Sequence, residues 1–125
     1  MDWTVPAIAL GAIAGALSRY YISLFWAKKL GTRFPYGTLF VNLTGALLIG
    51  VVATLATVYP LPSGLQTLIV VGFLGSYTTF SSYILDSKIL LRSFRPFSAA
   101  VYWFGSPILG LFSLEIGIWL GHRLV

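Results

Sequence analysis

The chain has 125 residues, of which 58% are hydrophobic and 9% charged, with a formal net charge of +5. A soluble domain carries roughly 25% charged residues, so this composition excludes an ordinary globular protein and points to a bilayer. The absence of cysteine excludes a disulfide framework or thiolate metal site, and one histidine, His122, leaves little for acid–base or zinc chemistry.

A membrane-spanning helix needs about 20 mainly apolar residues. Residues 5–27 carry Arg19 as their only charge and give a first span. This segment reads as structure rather than a cleaved leader, because it lacks a basic amino end and Arg19 interrupts its apolar run. From Phe34 to Leu85 there is no charge at all, a run too long for one helix. Tyr59-Pro60-Leu61-Pro62-Ser63-Gly64 divides it, since proline and glycine cannot carry a helix through. The second span is therefore Tyr36–Val58 and the third residues 65–91. Residues 97–121 form a fourth span with one internal carboxylate, Glu115. The expected fold class is an all-α membrane protein, one four-span domain covering residues 1–125.

With four spans, loops one and three share one side of the membrane. Lys28, Lys29, Arg33, Lys88, Arg92 and Arg95 lie on that side, and Arg123 alone lies on the other. Six against one places loops one and three in the cytoplasm and both termini outside. The positive charge thus follows from orientation and needs no nucleic-acid partner.

Polar groups inside spans are expensive, and they are where function is sought first. Arg19 either snorkels to the interface or, with Asp86 near the cytoplasmic end of span three, anchors the bundle or sets a positive potential. Glu115 reads as interfacial. Gly11, Ala12, Gly15, Gly45, Ala46, Gly50, Gly110, Gly117 and Gly121 recur at helical spacing and allow close helix approach. Span three differs from the others. Gly72 through Tyr83 places two glycines and five serine and threonine hydroxyls in mid-span, more than a packing helix uses. Non-helical backbone at membrane depth is tolerated only where protein buries it or a watery cavity is lined. Transporters use such breaks to aim carbonyls at cations and helix ends at anions. A break is expected near residues 75–79. Phe80 and Tyr83, three apart, share a face, and Asn42 offers an uncharged amide N–H to an anion.

The pieces Gly11-Ala12-Ile13-Ala14-Gly15-Ala16-Leu17-Ser18-Arg19-Tyr20, Gly37-Thr38-Leu39-Phe40-Val41-Asn42 and Gly72 through Ser82 resemble the signature of the Fluc (CrcB) fluoride channels, in order and over the full four-span length. The resemblance implies a small channel that lets fluoride leave the cytoplasm, built as an antiparallel dimer with two narrow pores beside the interface. It implies a structural sodium ion at the dimer centre, held by backbone carbonyls of Gly75 and Thr78. Along the fluoride path it places Asn42, Phe80, Tyr83 and Ser106, with Ser81, Ser82 and Tyr102 on the same polar line. Tyr83 stands where the family has phenylalanine, and Asp86 where glutamate is common.

A homodimer inserted both ways needs nearly balanced loops, and six against one is not balanced. The chain is therefore expected to take one orientation and pair with a related, oppositely biased subunit, with pairing to itself as the alternative. A rival reading makes it a non-conducting subunit that completes a partner's fluoride pore. A small multidrug-type transporter has the same length and span count, but needs a carboxylate in span one, where only Arg19 stands. Enzyme function has no support, since no nucleophile–base pair, metal cluster or phosphate loop is visible.

Overall fold

The computed structural model describes residues 2–125. Four helical stretches are long and apolar enough to cross a membrane. α1 runs over Thr4–Leu30 and α2 over Tyr36–Val58. The third stretch is composite: α3 (Ser63–Gln66), a π-helical segment (Thr67–Leu74), α4 (Gly75–Tyr77) and α5 (Phe80–Arg92). α6 runs over Pro96–Arg123.

Helix ends follow local chemistry. The Asp2 carboxylate accepts hydrogen bonds from the Thr4 hydroxyl at 2.6 Å and the Thr4 N–H at 2.9 Å. These bonds, the hydroxyl's first, hold its pKa below the usual value, and they put negative charge at the helix N-terminus, where the dipole favours it. Gly31 stops α1 with φ 81°, a backbone state that side chains resist. Pro96 opens α6 where its missing N–H costs nothing. The Arg95 guanidinium donates to the Arg33 carbonyl at 3.2 Å, which joins loops one and three at one end of the bundle.

Packing is backbone on backbone. α1 lies against the π segment, where a Cβ on Gly11 would strike the Leu68 carbonyl and one on Gly15 the Phe73 carbonyl. α2 lies along α6, where Gly50 and Gly117 bring the two backbones together. Close approach of this kind drives helix association in lipid, where apolar burial gains nothing. Large apolar side chains such as Ile13, Leu17, Leu111 and Phe112 point away from the bundle, as a lipid-facing surface requires.

The third stretch is broken, and more extensively than its residue types indicate. The expected break at residues 75–79 narrows to Thr78 and Thr79, both extended (ψ 153° and 121°). The π segment begins eight residues before Gly75, and nothing in the residue types marks it. In it the Gly75 N–H reaches the Val70 carbonyl five residues back, the register of a π turn. Such turns cluster at functional sites.

Candidate functional site

The break is held by named bonds. Asn42 on α2 takes both backbone groups of Thr79: its Oδ1 accepts the Thr79 N–H at 2.8 Å, and its Nδ2 donates to the Thr79 carbonyl at 2.9 Å. An asparagine amide bonding the peptide on both sides replaces the partners an unbroken helix would supply. Beyond it Thr79 caps α5, its Oγ1 accepting from the Ser82 N–H at 3.2 Å, the usual work of an N-cap threonine. Just after α4, Thr78 Oγ1 donates to the Leu74 carbonyl at 2.9 Å, and Gly45 on α2 leaves room for the Thr78 methyl. We predict that Thr79→Ala lowers stability by about 1 kcal/mol while Thr79→Ser retains most of it, read as melting temperature in detergent.

Two carbonyls are set free. The Thr79 N–H, which in a continuous helix would bond the Gly75 carbonyl, goes to Asn42. The Ser82 N–H, which would bond the Thr78 carbonyl, goes to the Thr79 hydroxyl. Gly75 and Thr78 therefore present backbone oxygens without helical partners. Among the described residues no group of three His, Cys, Asp or Glu side chains could hold a metal.

Beside the break lies a cavity of about 370 Å³ whose lining includes Asn42, Thr78, Thr79, Phe80, Tyr83, Ser106 and Pro107. Four of the residues singled out for an ion path, Asn42, Phe80, Tyr83 and Ser106, thus meet in one place. Asn42 uses one of its two N–H donors on Thr79, which leaves a second. Phe80 is 73% exposed, whereas Tyr83 is buried between α5 and α6. Their rings lie 5.8 Å apart.

A second cavity, about 470 Å³, lies on the other side of Thr79 and is bordered by Arg19, Thr38, Ser82 and Asp86. Further cavities of about 420 and 270 Å³ toward loops one and three also border Asp86. Thr79 lines both the first cavity and the second, and Asn42 lines the first. Ser82 belongs to the loop-side cavity, and Ser81 is exposed with its hydroxyl 3.3 Å from that of Thr79. Tyr102 stands behind Tyr83, almost fully buried, its ring 5.3 Å away and its hydroxyl donating to Asp86 at 3.4 Å. Arg19 and Asp86 share a cavity, but the hydrogen bond on Asp86 comes from Tyr102.

Three features go beyond what the residues alone indicate. The cap on Thr79 has a readable cue in its hydroxyl three residues before Ser82. The pairing of the Tyr77 hydroxyl with Thr44, at 2.9 Å, has none. The bond from the Tyr83 hydroxyl to the Trp103 carbonyl has one in Pro107.

Comparison with known proteins shows the family. Residues 6–118 match the family model described as CrcB-like protein, Camphor Resistance (CrcB). The chain is 54% identical over 118 residues to a protein of Trichormus variabilis named fluoride-specific ion channel FluC, covering 93% of this chain and 86% of that one. A protein of the same name from a Synechococcus species is 49% identical over 117 residues (93% and 90% covered). Another from Nitrobacter winogradskyi is 43% identical over 120 residues (94% and 95%). With nearly its whole length matched at such identity, the chain belongs to the CrcB family of FluC-type membrane proteins.

Proposed function

We propose that this protein is a fluoride-selective channel of the cell membrane that lets the anion leave the cytoplasm. The observation that carries the reading is the convergence of Asn42, Phe80, Tyr83 and Ser106 on one cavity at a helix break. Fluoride is small and firmly hydrated, so a dry apolar hole does not admit it. Fluoride gathers first in the loop-side cavities, where Arg19 supplies positive potential and Thr38 and Ser82 supply hydroxyls. It then passes Asn42 and Thr79, where the spare Asn42 N–H replaces part of its water shell. Beyond it lie the Ser106 hydroxyl and the ring edges of Phe80 and Tyr83, which carry partial positive charge. Each contact is weak, and a series of weak sites is what conduction needs.

The reading includes an antiparallel dimer. A phenylalanine 73% exposed beside a polar break calls for a second chain to complete the cavity wall. Gly75 is likewise exposed, which suits a site shared across an interface. The freed carbonyls of Gly75 and Thr78 are hard oxygen donors, which fit a sodium ion. Bound there, it would neutralise the carbonyl ends and add positive potential for the anion.

The direct test is efflux from liposomes holding fluoride or chloride, followed with ion-selective electrodes. Rapid fluoride release without chloride release is the expected result, and fluoride-tight vesicles would end the reading. The six-to-one distribution of basic residues favours a fixed orientation, loops one and three inside, with an oppositely oriented relative as partner. We predict that reporters fused at either terminus of the chain expressed alone all map outside. Equal labelling on both sides, together with full channel activity, would make the protein a self-sufficient homodimer. The same distribution also favours a subunit that only completes a partner's pore, a reading that fluoride release by this chain alone would remove.

A further inference from the structure

Pro107 sits inside α6, and proline has no N–H to give the carbonyl four residues back. That carbonyl belongs to Trp103. Tyr83, on α5, donates its hydroxyl to this same carbonyl. Its ring also stacks on that of Trp103 at 5.2 Å with an interplanar angle of 12°. Tyr83 is thus fixed to α6 at two points, ring and hydroxyl, one of them created by Pro107. Both residues line the cavity at the break.

We propose that Tyr83 and Pro107 are a matched pair: the Tyr83 hydroxyl replaces the hydrogen bond that Pro107 removes from Trp103, and so fixes the Tyr83 ring as a wall of the conduction cavity. Tyr83 is then a positioning residue whose hydroxyl faces α6 and does not solvate the anion. The packing around it supports a single ring orientation. Tyr102 lies 5.3 Å behind it and Phe80 5.8 Å beside it, so a swing about the side chain is blocked on the side of each neighbour. Without the hydroxyl, a carbonyl in the bundle is left unpaired, and such groups are costly away from water.

The part of this that concerns flux rests on the fluoride-channel reading, whereas the pairing itself does not. The experiment is a double-mutant cycle on the full chain, with Tyr83→Phe and Pro107→Ala alone and together. Pro107→Ala returns an N–H to the Trp103 carbonyl, so loss of the Tyr83 hydroxyl costs less. With Pro107 in place, Tyr83→Phe is expected to slow fluoride efflux on the order of tenfold and to lower the melting temperature in detergent. In the Pro107→Ala background the same change is expected to cost several-fold less flux and less melting temperature than with Pro107 in place. An equal loss of flux in both backgrounds would overturn the proposal, since it would mean that the hydroxyl serves the ion itself. No effect of Tyr83→Phe in either background would overturn it as well. Should wild-type vesicles hold fluoride, the channel reading fails, and the melting-temperature cycle still decides whether the two residues are coupled.

Discussion

Asn42→Asp is expected to give a folded protein that carries almost no fluoride. The asparagine does two things at once, clamping the backbone of Thr79 at 2.8 and 2.9 Å and lining the cavity. Aspartate keeps the acceptor that meets the Thr79 N–H. As a carboxylate it has no donor for the Thr79 carbonyl; where Nδ2 stood it sets a second negative oxygen against that carbonyl, and its charge faces the permeating anion of the proposed path. Two unit charges about 4 Å apart at an effective dielectric of 20 repel by roughly 4 kcal/mol. As a barrier increment this is about a thousandfold in rate. The lost hydrogen bond adds roughly 1–3 kcal/mol of destabilisation, which the wide helix–helix contact of the bundle can absorb. Reconstituted variant should elute from a sizing column like wild type while its vesicles release fluoride about a thousandfold more slowly. Efflux at the wild-type rate would remove Asn42 from the path.

Why some of this is legible in the sequence is a matter of range. The four apolar helices follow from gaps between charges and from Pro60 and Pro62, features that act within one turn of chain. The break follows from an excess of hydroxyls and glycines in span three, because no packing helix uses Thr78-Thr79 flanked by Ser76, Ser81 and Ser82. Its mechanism does not. Nothing within three residues of Thr79 reveals that an amide 37 positions earlier closes on its N–H and carbonyl. The π register of Thr67–Leu74 is equally hidden, since no hydroxyl or proline beyond Thr67 marks it. It coincides with the stretch that Gly11 and Gly15 of α1 approach within backbone contact, a tertiary constraint. Tyr102 shows the opposite limit. Its place one helical turn before Ser106 suggests one polar line, yet its hydroxyl turns to Asp86 on α5. A spacing of four places two residues on one face without saying which neighbour each will meet. The Tyr83 hydroxyl has a cue in the orphaned carbonyl of Trp103, but its use requires α5 and α6 to be side by side.

Gly117→Ala is expected to damage the fold severely, and to take the channel with it. A Cβ at this position would strike the Leu47 carbonyl oxygen and lie 3.0 and 3.1 Å from Leu47 C and Cα. All three are backbone atoms of α2, so no side chain can step aside. From α2, Gly50 meets the Leu114 carbonyl and the Ile118 N in the same way, which makes the α2–α6 crossing rigid on both faces. Overpacking of this kind costs about 1–3 kcal/mol, and lipid supplies no hydrophobic pressure to force the helices back together. Gly110, on the same helix, has open space where its Cβ would go. Gly110→Ala should therefore be neutral or gain up to about 1 kcal/mol from better helix propensity, which makes it the internal control. The functional consequence follows from what α6 carries. Ser106 and Pro107 line the same cavity as Asn42 of α2, so any separation of α2 from α6 opens that cavity and, on the proposed reading, disperses the donors of the path. Melting temperatures in detergent should fall for Gly117→Ala and hold for Gly110→Ala, with fluoride efflux lost in the first. Equal stability in the two variants would show that the α2–α6 contact yields enough to accept a methyl, and that Ser106 is held near Asn42 by something other than this crossing.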